Sequence, residues 1–217
     1  MELEKGVYPS SVDQSLWESP VWIKNTGFDE HFNKKLLIEL YHIANNVKLG
    51  IDNNPGDSLL DYAQNHPCLK QLLETKEKVI TEVVNQYLPK THTAIFKPIS
   101  SWLNVKESEE IIEMHGHPDS SIACTYYITV PTNGGELYYL DTGKVGEHHT
   151  SIKYIKPKSG DLIFFPSYIL HGVCPNGDNK LRVSLSTDFN YKLTEDSQDK
   201  LILSSWIDSM LKIKELL

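Results

Sequence analysis

The stretch MHGHPDSSIACTYYITV, residues 114–130, decides the fold. Ile122 to Val130 is rich in Ile, Thr, Tyr and Val, the residue types that fill pleated strands. Pro118-Asp119-Ser120 before it suits a tight turn. Glu110 to His117 reads as the strand that leads into that turn, closing on His115 and His117. Residues two apart on a strand face the same way, so the two imidazoles project side by side from one face. Asp119, in the middle of the turn, points away from it.

Outward from this strand-turn-strand stretch the same texture continues over residues 93–191. Strands are expected near 99–106, 110–117, 121–130, 136–140, 150–157, 161–166 and 181–189, separated by Gly, Pro, Asn and Asp. Short strands at this spacing point to a sandwich or barrel rather than a parallel sheet. Residues 1–92 read as mainly helical. Phe32, Leu36, Leu40 and Ile43 recur at helical spacing until Gly50 and Asp52-Asn53-Asn54-Pro55-Gly56. A second helix starts near Pro67, carries Leu69, Leu72, Leu73, Val79, Ile80, Val83, Val84 and Tyr87, and stops at Pro89. Residues 192–217 read as one amphipathic helix with Leu201, Leu203, Trp206, Ile207, Met210 and Leu211. The helices are expected to cover the outer face of the sheet. The whole is expected to be a single domain, 1–217, mainly β with α.

The chain has 217 residues and a net charge of −8, which disfavours a phosphate backbone as partner. No nucleic acid and no membrane partner are expected. Three cysteines, Cys68, Cys124 and Cys174, without C-x-x-C spacing argue against a disulfide framework and for a reducing compartment. The start, MELEK, lacks the apolar run of a signal peptide, and no stretch approaches a membrane span. A cytoplasmic protein is expected, of unassigned oligomeric state.

Beyond that stretch, a third histidine, His171, follows His117 by 54 positions, after a turn, an apolar strand and Pro166. Two neighbouring ligands and a third from a distant strand are how a barrel builds a facial metal site with open positions. Imidazole alone does not choose between iron, zinc and nickel. Arg182 comes eleven positions after His171, in the apolar strand Leu181 to Phe189. An inward guanidinium needs an anion. Ser184 shares its face, so the pair offers a fork and a hydroxyl to a carboxylate. Tyr126 or Tyr127 can add a phenol. Taken singly, a His-x-His is more often a surface or core feature, a strand Arg a surface one, and Tyr-Tyr packing. Their order on consecutive strands is what carries weight.

These motifs resemble the 2-oxoglutarate/iron(II) oxygenase superfamily, with its His-x-Asp pair, distal His and Arg-x-Ser. They most resemble a bacterial and phage group marked by His-x-His-Pro. The matching stretches are Ser101-Trp102-Leu103-Asn104, His115-Gly116-His117-Pro118, Tyr126-Tyr127, Gly135-Glu136-Leu137, Gly160-Asp161-Leu162, Phe165-Pro166, His171 and Arg182-Val183-Ser184. They cover about residues 99–190. The strand ending at Tyr127 also looks like that of prolyl hydroxylases, whose second tyrosine helps hold the 2-oxoglutarate tail.

The resemblance implies a double-stranded β-helix (jelly-roll) core. It implies Fe(II) held by His115, His117 and His171, and 2-oxoglutarate anchored by Arg182 with Ser184 and Tyr127. Asn104 would lie on the strand that floors the site, within reach of the cofactor. O2 would be the oxidant and ascorbate the supporting reductant, in a hydroxylase that couples 2-oxoglutarate decarboxylation to substrate oxidation. Peptidyl proline, another protein side chain and a small molecule all stay open as substrate. The family's second ligand is normally Asp, so a register with His117 and Asp119 competes with His115 and His117; the turn at Pro118-Asp119 favours the latter. Three neutral histidines would leave the iron site one negative charge poorer. The segments 104–110 and 142–150 are expected to frame the mouth, with His148 and His149 as loop residues. Two rivals share the scaffold: a cupin-type metalloenzyme without 2-oxoglutarate, with Glu136 as a fourth ligand, and a non-catalytic jelly-roll binding module.

Overall fold

The computed structural model of the chain describes residues 20–48, 58–88, 93–141 and 151–193. Two antiparallel sheets form its centre. The larger runs in the order β1 (Trp22–Asn25), β7 (Asp161–Pro166), β4 (Ile122–Thr129), β9 (Arg182–Leu193), β2 (Ala94–Lys106). The smaller runs β3 (Ile112–His115), β8 (His171–Val173), β5 (Leu137–Asp141), β6 (Ser151–Ile155). This is the expected jelly-roll core.

Period-2 alternation explains how the large sheet is buried on both faces. On β7, Leu162 and Phe164 join the helices while Ile163 and Phe165 join the small sheet. On β4, Cys124, Tyr126 and Ile128 face the helices, and Ala123 and Tyr127 face inward. Leu137, Tyr139 and Val173 of the small sheet complete the inner cluster. Strands buried on both sides lose the in/out contrast of a half-exposed strand, hence their near-continuous apolar sequences.

The helices α1 (Glu30–Lys48) and α2 (Pro67–Asn85) lie where the apolar periodicity places them, with a short 3-10 helix, Leu59–Asn65, between them. Leu36, Leu40 and Ile43 of α1 meet Leu69, Leu72, Leu73, Ile80 and Val83 of α2 in the core over the large sheet. The Glu39 carboxylate accepts from the Cys68 and Leu69 N–H groups at 3.0 and 2.9 Å, so α1 caps the start of α2. Buried Asn33 ties α1 to β4: it donates to Ile128 O at 3.1 Å and accepts from the Tyr126 hydroxyl at 2.7 Å. On α2, Lys76 is wholly buried, and its ammonium donates to Leu185 O and Thr187 Oγ1 on β9, both at 2.8 Å. Burial pushes its pKa down to about 8.

Four details depart from expectation. β1 sits inside the region read as helical; four residues are too few to show a period. β8 has only three residues and was invisible for the same reason. β2 begins at Ala94 rather than near 99, because Pro98 lies at a register shift where the missing N–H does no harm. β3 ends at His115, so His117 stands just past the strand, its N–H donating to Ser167 O at 3.0 Å. Lys192 and Leu193 close β9 rather than open the last helix; the rest of that helix (194–217) and the 142–150 segment with His148 and His149 lie outside the described residues. Among those described, no helix is long and apolar enough to cross a membrane.

Candidate metal centre

The inward face of β9 carries Arg182, Ser184, Ser186 and Asp188, while Val183, Leu185 and Phe189 face the helices. Register sets the neighbours. Tyr127 and Asn104 flank Ser184, Thr125 and Trp102 flank Ser186, and Ala123 lies beside Asp188. These residues line a narrow cleft between the two sheets. A strand buried on both faces yet polar on the inner one costs stability unless that face has work to do.

Across the cleft stand three imidazoles. His115 and His171 are paired in register between β3 and β8, with ring centroids 4.4 Å apart. His117 lies 5.1 Å from each, nearly parallel to His171. One ring nitrogen from each lies within 4.8 Å of the others, a group that can hold a metal ion.

The second nitrogens explain the orientation. His115 Nδ1 meets Glu113 O at 2.7 Å, His171 Nδ1 meets Ile169 O at 2.9 Å, and His117 Nδ1 meets an Asp188 carboxylate oxygen at 3.1 Å. All three partners are acceptors, so each Nδ1 carries a hydrogen, and in a neutral ring Nε2 is left with a bare lone pair. Burial drives the His171 pKa down to about 4, so that ring is neutral near pH 7. The Nε2 atoms of His117 and His171 lie 3.4 Å apart. Two lone pairs aimed at one point repel unless a cation sits between them. Tethered Nδ1 atoms and converging Nε2 atoms are the signature of metal-ligating histidines.

The far side of the cleft suits an anion. Arg182 is 2% exposed, and its guanidinium carbon lies 5.4 Å from the Tyr127 ring centroid. Among the described residues no carboxylate pairs with it, and its Nε is buried without a partner. Burial lowers the Arg182 pKa. Ser184 is buried beside it, and burial pushes the Tyr127 phenol up to about 12, so it stays protonated and able to donate. A buried, unpaired guanidinium fits a ligand carboxylate.

Seven of the residues singled out from sequence line this cleft: His115, His117, His171, Arg182, Ser184, Tyr127 and Asn104. The Asn104 Nδ2 is held by Ser186 Oγ at 3.0 Å, which in turn meets Thr125 Oγ1 at 2.9 Å. Tyr126 faces the helices instead. Asp119 is exposed in its turn, and neither it nor Glu136 belongs to the converging group. Sequence reasoning missed Asp188, Ser186, Thr125 and Trp102, whose indole stacks on His117 at 5.7 Å and 25°. The signal for two of them was present: Arg-x-Ser-x-Ser-x-Asp is polar at every second position of an otherwise apolar strand.

Residues 100–188 match the family model described as "Putative 2OG-Fe(II) oxygenase". That span includes every residue lining the cleft. No curated protein matches the sequence. Among solved structures, the chain is similar to AviO1 from Streptomyces viridochromogenes Tue57, at 12% identity over 79% of this chain and 90% of that one, with a TM-score of 0.56. It is similar to a Pseudomonas putida prolyl-4-hydroxylase at 17% identity over 79% and 88%, TM-score 0.53. It is also similar to HygX from Streptomyces hygroscopicus, solved with nickel and 2-oxoglutarate bound, at 10% identity over 79% and 82%, TM-score 0.55. At such identities the structural likeness establishes the shared fold.

Proposed function

We propose, from the match of residues 100–188 to the 2OG-Fe(II) oxygenase family model, that the chain is a hydroxylase in which His115, His117 and His171 hold Fe(II) and Arg182, Ser184 and Tyr127 hold 2-oxoglutarate. One observation carries this reading: three tethered imidazoles aim bare nitrogens into a cleft whose far side holds a buried guanidinium without an acidic partner. Bound there, iron and 2-oxoglutarate supply the oxidising power, since O2 and the keto acid are consumed, succinate and CO2 leave, and one oxygen atom goes to the substrate.

The chain's own residues bind, orient and shield. The three Nδ1 tethers fix the imidazole planes before metal arrives. Arg182 offers a planar fork to the C5 carboxylate, and Ser184 and the protonated Tyr127 phenol add hydroxyl donors. Asn104, braced by Ser186 and Thr125, forms the adjoining wall. Trp102 covers His117 and limits water on that side. A cupin-type enzyme without 2-oxoglutarate would have no use for buried Arg182, which supports the oxygenase over that alternative.

Calorimetry tests the assignment, with Mn(II) in place of Fe(II) to prevent turnover. The protein should bind Mn(II), and the loaded protein should bind 2-oxoglutarate. Arg182→Leu should keep Mn(II) and lose at least about 30-fold in 2-oxoglutarate affinity, the cost of removing one partner of a buried charge pair. Unchanged keto-acid binding in that variant overturns the anchor. With Fe(II), ascorbate and air, slow succinate formation that vanishes in His171→Ala completes the case.

A further inference from the structure

We propose that Asp188 is the charge partner of the metal centre, a positioning residue that supplies through His117 the negative charge that a set of three histidines lacks. It rests, as the proposed function does, on metal binding by His115, His117 and His171.

A divalent ion held by three neutral imidazoles has no anionic protein ligand to balance it. The nearest remedy is a carboxylate behind one ligand. Two of the histidines are tethered to backbone carbonyls, of Glu113 and Ile169. The third, His117, is tethered to a carboxylate, the Oδ2 of Asp188 at 3.1 Å. An imidazole that donates to a carboxylate becomes a more basic, more negative ligand through its other nitrogen. Among the described residues, Asp188 is also the one acidic residue lining the cleft. Its side chain is 14% exposed, against 13% for His117, so solvent screens the pair little. Its Oδ1 is buried without any hydrogen-bond partner. No second donor or cation at that atom competes with His117 for the charge. Keeping a carboxylate there costs folding free energy, which a merely structural acceptor such as an asparagine oxygen would not incur.

The register explains how the strand delivers it. Asp188 shares the inward face with Arg182, Ser184 and Ser186 and pairs with Ala123 on β4 and Ser100 on β2. One strand thereby carries both the anion anchor and the charge for the ion, six residues apart.

Asp188→Asn separates charge from geometry, because its amide oxygen can still accept from His117 Nδ1. Affinity for Mn(II) is measured by calorimetry, ligand geometry by the visible absorption of the Co(II) protein, and apo stability by urea denaturation. Asp188→Asn should bind Mn(II) at least about 10-fold more weakly, keep the wild-type Co(II) spectrum, and be no less stable than wild type as the apoprotein. Asp188→Leu should weaken Mn(II) at least as much and alter the Co(II) spectrum. If Asp188→Asn binds Mn(II) within about 3-fold of wild type while His171→Ala abolishes binding, the charge role is wrong and the metal site stands. If Asp188→Asn loses affinity but also loses apo stability or the Co(II) spectrum, Asp188 is structural only, and the proposal falls. If wild type itself binds no Mn(II) or Co(II), the metal-site reading fails first and this inference with it.

Discussion

Replacing Lys76 with methionine should change how stability depends on pH, by an amount the structure sets. The Lys76 ammonium is fully buried and bonded to neutral acceptors, Leu185 O and Thr187 Oγ1. Burial lowers its pKa from the ordinary 10.5 to about 8. With a folded-state value below the unfolded one, the unfolded chain holds more protons between about pH 8 and 10.5, so stability rises with pH in that window. Below it, wild type carries the full cost of a buried charge. At 1.36 kcal/mol per decade, this amounts to about 2.5 kcal/mol gained between pH 7 and pH 10. Methionine fills a similar volume and has no such dependence. Burial raises the pKa of Tyr87, Tyr126 and Tyr127, which works in the opposite direction at alkaline pH, so the difference between the two proteins is the informative quantity. Urea denaturation of both at pH 7, 8, 9 and 10, followed by tryptophan fluorescence, gives it directly. Lys76→Met should be relatively most stable at pH 7 and lose about 2.5 kcal/mol of that advantage by pH 10. A difference flat to within about 0.5 kcal/mol would refute the claim that Lys76 is buried with its charge uncompensated.

Gly172→Ala should disturb both fold and centre. An added Cβ would stand 2.4 Å from the Tyr138 hydroxyl and 2.7 Å from Ile112 O, next to His171, so a loss of about 1–3 kcal/mol is expected together with weaker Mn(II) binding; an unchanged melting temperature and titration would contradict it. Asn33→Ala takes one partner from the Tyr126 hydroxyl and the side-chain donor from Ile128 O, for about 1–3 kcal/mol by urea denaturation, with Mn(II) affinity untouched because the tie lies on the helix side of the large sheet.

How much of this was legible in the chain depends on the range of the interaction. Local periodicity placed α1, α2 and the long strands, since a helix stripe and a strand's composition are set by adjacent residues. The candidate ligands His115, His117 and His171 were legible as types, and Arg182 with Ser184 as a pair on one strand face. The contact of Asp188 with His117 was not, because it joins residues 71 apart through the packing of two sheets. Nor was the pairing of His115 with His171, since β8 is too short to have a pattern. Lys76 shows the converse. A lysine on an apolar helix face reads as a boundary residue, and only the acceptors on β9 disclose that it is core.

The position of β9 has a consequence for how the protein comes into being. It is the last of the described strands in the chain, yet it lies between β4 and β2 inside the large sheet. The three histidines are all synthesised before it, whereas Arg182, Ser184 and Asp188 ride on it. Inserting such a strand closes pairings far apart in sequence, the slow kind of step in folding. On the proposed reading, a metal held by the histidines before then would face no guanidinium to hold a keto acid against it. On the same reading, the site is therefore complete only when the fold is.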